Sequence, residues 1–174
     1  MSRFVSVLVL VFAAAFSRLL PHPANLTPVT AIALFGAMYL DRRSAFLVPI
    51  AAMLLSDAVL GFHSGMIWVY GSFVAITCIG FWLRDHRGLM QTIGATVAGS
   101  VLFFVVTNFG AWLGELALYP RTAAGLAECY VAAIPFFRNT LLGDLGYVAL
   151  LFGAFELARR WIPSLNQEPA TIAH

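Results

Sequence analysis

Two cysteines and two carboxylates sit inside or beside long apolar runs, where each needs a chemical reason to be. A thiolate is a soft ligand for a transition metal, and Cys78 lies deep in an apolar stretch. His22 and His63 form no metal-ligand spacing with another histidine, so no protein-built metal site is expected, and a bound cofactor could supply the metal instead. Composition alone favours the plainer reading of Cys78 as an inert core residue. Cys129 stands beside Tyr130 in a less apolar stretch and can also face a ligand. Asp57 follows Ala51-Ala52-Met53-Leu54-Leu55, and Asp144 lies between Gly143 and Leu145. A carboxylate at membrane depth is costly and implies a polar partner or a cavity; near a helix end it is only a cap. Asn108, among phenylalanines and valines, wants a hydrogen-bond partner and shares a helix face with Trp112, four residues on. The pair reads either as one wall of a pocket or as helix-to-helix glue with an interfacial aromatic anchor. Trp68, Tyr70 and Ser72 read likewise as a cavity wall or an aromatic belt. His22, held between two prolines, is a stiffer binding candidate than His63, and either can be merely structural.

These residues must be positioned by apolar helices. Hydrophobic residues make up 61% of the 174 and charged ones 10%, which excludes a soluble domain with a polar shell. A net charge of +2 is too small to point to nucleic acid, and two cysteines are too few for a disulfide framework. Since about 20 residues cross a bilayer, six helices with short connections use nearly the whole chain. The expected segments are 4–20, 27–40, 45–60, 66–83, 89–113 and 139–161, all in one transmembrane domain over 1–163, with a polar tail over 164–174. Pro21, His22 and Pro23 stop the first segment; Asp41, Arg42 and Arg43 end the second. The first segment is read as a membrane helix rather than a signal peptide, despite the Ala13-Ala14-Ala15 run. Residues 114–138 are too long for a turn and lack a membrane-length run. They are expected to form a short interfacial helix or cap over 121–133, ended by Pro135, with Asn139 starting the sixth helix as its N-cap or facing a ligand.

All ten basic residues are arginine. With the N-terminus in the cytoplasm and six crossings, Arg3, Arg42, Arg43, Arg84, Arg87, Arg159 and Arg160 lie inside. Arg18, Arg121 and Arg138 lie outside, in keeping with the positive-inside rule. On that topology Cys78 lies about 12 residues below the outer end of the fourth segment, roughly 18 Å deep at about 1.5 Å per residue.

Four stretches then resemble a known family. They are Ser17-Arg18-Leu19-Leu20-Pro21-His22-Pro23-Ala24-Asn25-Leu26-Thr27-Pro28, Thr107-Asn108-Phe109-Gly110-Ala111-Trp112, Cys129-Tyr130-Val131-Ala132-Ala133-Ile134-Pro135-Phe136-Phe137 and Gly143-Asp144-Leu145. Together they resemble the substrate-binding S-components of energy-coupling-factor (ECF) transporters, and within them the BtuM-type vitamin B12 transporters. The resemblance implies an all-α, six-helix integral membrane bundle of the bacterial inner membrane, with a cavity open to the outside. It implies uptake of cobalamin, and of cobinamide in the same cavity, and an ECF coupling module as partner. Solitary action stays open, because the first helix offers only Ala13-x-x-x-Ser17 where S-components often carry Ala-x-x-x-Ala.

The same resemblance implies a cysteine on the corrin cobalt that assists loss of an axial cyanide. Cys78 is the expected ligand, since its depth suits a cavity floor. Asn25, Tyr130 and Asn139 are expected to bond the corrin amides. His22, Asp57, Tyr70, Asn108, Trp112, Cys129, Phe137 and Asp144 complete the expected binding set. Three other readings stand beside it: an S-component-like importer of a different small molecule, a membrane-embedded enzyme using Asp57 and Asp144, and a structural subunit with no ligand. No phosphate-binding loop or nucleophile elbow is present, so ATP would have to be used by another chain.

Overall fold

A computed structural model describes residues 3–21, 23, 25–114 and 118–161, with side chains from Val9 onward. It holds six helices: α1 (Arg3–Leu19), α2 (Val29–Tyr39), α3 (Arg42–Leu60), α4 (Met66–Asp85), α5 (Leu89–Leu113) and α6 (Ala123–Trp161). There is no strand among the described residues. Helices α3, α4, α5 and α6 are long and apolar enough to cross a membrane. This is an all-α chain of membrane-protein character.

The short α2 is the hub. Ten of its eleven residues, Val29 to Met38, are buried, and it packs against each of the other five helices. A helix apolar on every side belongs in the middle of a bundle. Glycine makes the closest approach possible. A Cβ placed on Gly80 of α4 would come within 2.5 Å of the Ala37 Cβ and 3.2 Å of the Leu34 backbone. Below that contact, Arg84 donates through Nε to the Ala37 carbonyl at 2.9 Å and through Nη2 to the Leu40 carbonyl at 2.7 Å. These oxygens are the orphan acceptors of a helix C-terminus, and a cation suits that end. Asp41 caps the next helix, accepting from the Ser44 N–H at 2.7 Å and the Ser44 hydroxyl at 2.9 Å. Gly61 ends α3 at φ 100, with its N–H on the Asp57 carbonyl.

The expected segments match except in one region. No separate cap ends at Pro135; α6 runs unbroken from Ala123 to Trp161 with Pro135 inside it. Proline removes one helical hydrogen bond, yet apolar surroundings penalise every further unpaired backbone group, so the helix continues through it. Contacts with α5 hold it on both sides of the proline. The Tyr130 hydroxyl donates to the Val105 carbonyl at 2.8 Å, and Phe104 packs on both Tyr130 and Phe137. Asn139 therefore lies mid-helix and is no N-cap.

Candidate functional site

Eleven residues at about 1.5 Å each give α2 a length of roughly 16 Å, about half of a bilayer core. Its N-terminus starts level with Ile76 and Gly99, where Thr30 faces Gly99. Towards the Arg18 end, α3, α4, α5 and α6 continue past it and leave a space. Part of that space is filled by residues 25–28 of the loop before α2, which put Leu26 against Gly143 and turn through Asn25 in the left-handed region at φ 63. The space includes two adjoining depressions of about 290 Å³ and 160 Å³. Asn25, Val69 and Phe103 line both. Arg18, Thr27, His63, Met53, Leu60 and Phe73 complete the larger; Phe104, Thr107, Asn108, Phe136, Phe137 and Thr140 complete the smaller.

One side of the larger depression is held by a buried polar network. Asp57 is 1% exposed. Its Oδ1 accepts from Arg18 Nη1 at 2.8 Å and its Oδ2 from the Tyr70 hydroxyl at 2.8 Å. The same Arg18 nitrogen bonds the Ser56 hydroxyl and the Met53 carbonyl. One carboxylate thus ties α1, α3 and α4 together. The pairing answers the cost of a buried charge, and Arg18 remains 15% exposed on the depression itself. Its lining position makes it the cationic group that a bound molecule would meet.

A second buried carboxyl lies deeper. Asp144 is 2% exposed, with Ser100 Oγ 2.7 Å from its Oδ2 and the Thr30 side chain hydrogen-bonded to it. It lines neither depression. The Trp68 ring fills the notch left by Gly110 and meets Phe109 edge-on at 5.8 Å, closing the α4–α5 seam near the opening.

A family model described as a family of unknown function, DUF6580, matches residues 1–165. The chain belongs to the DUF6580 family. No curated protein and no solved structure matches it.

Against this DUF6580 fold, the expected site residues separate into three groups. Asn25, Asn108 and Phe137 come together on the depressions. Asp57 and Tyr70 stand behind the wall as the network just described. The remainder serve the α5–α6 hairpin or lie below the site. Tyr130 bonds Val105, and Cys129 is buried with its thiol on the Asn108 carbonyl at 3.5 Å. Trp112 donates to the Pro120 carbonyl at 2.9 Å, tying down its own loop rather than sharing a pocket wall with Asn108. Asn139 is partly exposed on α6 and lines neither depression. His22 lies outside the described residues.

Cys78 requires a correction. It is exposed on α4 and is absent from both linings. The packed face of α4 runs through Ser72, Phe73, Ile76, Thr77, Gly80 and Leu83, and helical spacing turns Cys78 away from it. Depth along the axis suited a cavity floor; rotation about the axis does not. Nor is there a cluster of three or more His, Cys, Asp or Glu among the described residues that would hold a metal ion.

Arg18, Thr27, Val69, Phe103 and Thr107 were not among the site residues expected from the sequence, whereas Thr140, expected to present a polar atom to the interior, does line the smaller depression. One signal was present for Arg18. Asp57 in an apolar helix calls for a counter-charge, and Arg18 is the cation nearest the same expected membrane face. The hydroxyl and phenylalanine positions carry no such signal.

Proposed function

We propose that this chain is a membrane-embedded binding and uptake protein for a small solute, S-component-like in layout, with the solute held in the cleft at the Arg18 end. The observation that carries the reading is that cleft: five elements and one loop converge on a lined space because the central helix is too short to fill the bundle. The arginines supply its orientation. Arg42, Arg43, Arg84, Arg87, Arg159 and Arg160 gather at the opposite end, which by the positive-inside rule supports a cytoplasmic side there and a cleft that opens outward.

The lining chooses the ligand class. Phenylalanines and aliphatic chains offer an apolar body, while Asn25, Asn108, Thr107, Thr140 and Arg18 offer a few directed polar contacts, the usual make-up of a small-molecule site. The larger depression, about 290 Å³, stands at the low end of the roughly 300–1,000 Å³ that takes drug-sized ligands. The solute is therefore compact, with a flat or branched apolar body and one or two hydrogen-bonding groups. The corrinoid form of the reading fares worse. A corrin exceeds that volume, and Cys78 faces away. Cys129, behind the Asn108 backbone, is the sulfur nearer the cleft. An ECF coupling module belongs to the same family reading, and copurification tests it.

The decisive experiment is gentle extraction of the chain from native membranes, mass spectrometry of copurified solutes, and direct binding in lipid nanodiscs. The binding panel includes cobalamin and cobinamide. A compact solute whose binding is lost in Asn25→Ala and Phe103→Ala supports the reading. A corrinoid bound in a fixed ratio restores the B12 form. No bound solute from either source, or binding indifferent to both substitutions, removes the cleft as a site.

A further inference from the structure

The two buried carboxyls are treated differently. Asp57 has a guanidinium; Asp144 has two hydroxyls. The ion pairs among the described residues are Arg18–Asp57 and Arg159–Glu156, and neither includes Asp144. Among the described residues, α5 and α2 are the helices in contact with α6, and Leu26 of the neighbouring loop meets Gly143. Helix α5 carries no charged or titratable residue, and α2 offers only Tyr39, nine residues beyond Thr30. On α6 itself the flanking groups are Arg138, Tyr147 and Glu156, with Cys129, Tyr130 and Glu128 farther up and Arg159 and Arg160 farther down. His22 of the loop lies outside the described residues. No cation among the described residues pairs with this carboxyl, and an uncompensated buried carboxylate is expensive.

The polar contacts accommodate a protonated acid. Ser100 Oγ lies 3.1 Å from the Thr96 carbonyl oxygen and 2.7 Å from Asp144 Oδ2. A hydroxyl has a single hydrogen. With a proton on Oδ2, Asp144 donates to Ser100 and Ser100 donates to Thr96, so both contacts are hydrogen bonds at once; with the carboxylate, Ser100 donates to Asp144 and the Thr96 carbonyl keeps its helical N–H partner.

The third observation is position. Thr27, Phe103 and Thr140 line the cleft. Thr30 and Asp144 follow Thr27 and Thr140 by three and four residues, and Ser100 precedes Phe103 by three on α5. The carboxyl is one turn beneath the cleft on every side.

We propose that Asp144, with Ser100 and Thr30, forms a proton-binding site under the cleft, and that its proton exchanges with water through the cleft. The site stands whether or not the cleft takes a solute.

Infrared spectroscopy of the chain in nanodiscs at neutral pH tests it. One non-ionised carboxyl stretch is expected, shifted by D₂O, lost in Asp144→Asn and kept in Asp57→Asn. Absence of the band, or its survival in Asp144→Asn, overturns the proposal. So does loss of the band when sodium replaces choline, which would make this a metal-cation site. Should Asp144→Asn fail to fold, Ser100→Ala keeps the acid and removes its acceptor; the band should move to higher frequency, and an unmoved band overturns the assignment. The route is read in Asn25→Cys on a Cys78→Ala background. N-ethylmaleimide at position 25 fills the cleft and should abolish deuterium exchange of the band over the time in which unlabelled protein completes it. Unchanged exchange refutes the cleft as the path.

Discussion

Removing Arg18 should damage this protein more than neutralising its partner Asp57, although both substitutions break the same ion pair. The reason is geometric. Asp57 is 1% exposed, fixed in α3 between α1 and α4, and has no path to water. Arg18 is 15% exposed and lies on the cleft. In Arg18→Met the carboxylate stays buried, with the Tyr70 hydroxyl still donating to it. Breaking a buried pair in this way costs about 3–5 kcal/mol in soluble proteins. Interactions in a bilayer run weaker, because the unfolded reference also finds partners. The expected loss is therefore near the low end, ~3 kcal/mol. In Asp57→Asn an oxygen remains for Arg18, and the long arginine stem can lift its charge into the cleft. That loss should be about 1–2 kcal/mol, the scale of one weakened polar contact. The double variant Arg18→Met, Asp57→Asn leaves no buried charge behind. It should be no less stable than Arg18→Met alone, giving a coupling of about 1–3 kcal/mol. The assay is denaturant unfolding in mixed micelles, followed by tryptophan fluorescence. Equal losses for the two single variants, or a double variant at the sum of both, would refute the account of a carboxylate stranded by its fold.

Two further outcomes follow from packing. Cys78→Ala should change stability by less than about 0.5 kcal/mol and leave cleft binding untouched, while removing the single site that a lipophilic thiol reagent labels in the folded protein. Labelling of Cys129 before unfolding would contradict its burial on α6. Gly80→Ala should destabilise by about 1–3 kcal/mol, since the new methyl meets the Ala37 Cβ and the Leu34 backbone rather than a flexible side chain. That clash outweighs the gain of up to about 1 kcal/mol that alanine brings to a helix. Gly94→Ala, with nothing within 4 Å, should show only the gain, and a matching loss at both positions would sink the close-approach reading of α2 and α4.

The bundle was legible because apolar runs and arginine-bearing breaks mark helix ends with little tertiary help. Residues 89–113 were bounded correctly, and 66–83 nearly so. Pro135 misled because the rule that proline ends a helix is a rule for water. Once Tyr130 and Phe137 both lean on α5 around Phe104, continuing the helix costs less than exposing its backbone. The site was legible only in part. Asn25, Asn108 and Phe137 reach the cleft, and Asp57 was rightly marked as needing a partner. Cys78 failed for a reason that applies to any lipid-facing helix: its periphery is as apolar as its core, so composition gives depth and leaves rotation undetermined. The burial of Ser72, Thr77 and Gly80 fixes that rotation, and small or polar residues facing inward are the pattern to expect where helices pack in lipid.

The same logic explains why the cleft exists. A central helix that is apolar all round cannot pair its ends with water, so it must be enclosed, and α2 is enclosed on every side. Being short, it can be enclosed only over its own length. The five surrounding helices and residues 25–28 of the loop before α2 then face one another across a space with no helix in it, and polar groups collect there: Arg18 with Asp57 at the wall, Asn25 at the loop tip, Asn108 and Thr140 opposite. Lengthening α2 by a turn at its N-terminus would replace Asn25 and Thr27 in that space with helix. A Pro28→Ala variant with alanines at 24–27 should close the cleft while retaining the hub contacts of Leu34 and Ala37. Loss of solute binding with unfolding stability retained would tie the site to the length of one helix; binding that survives the extension would show that the space belongs to the outer loops instead.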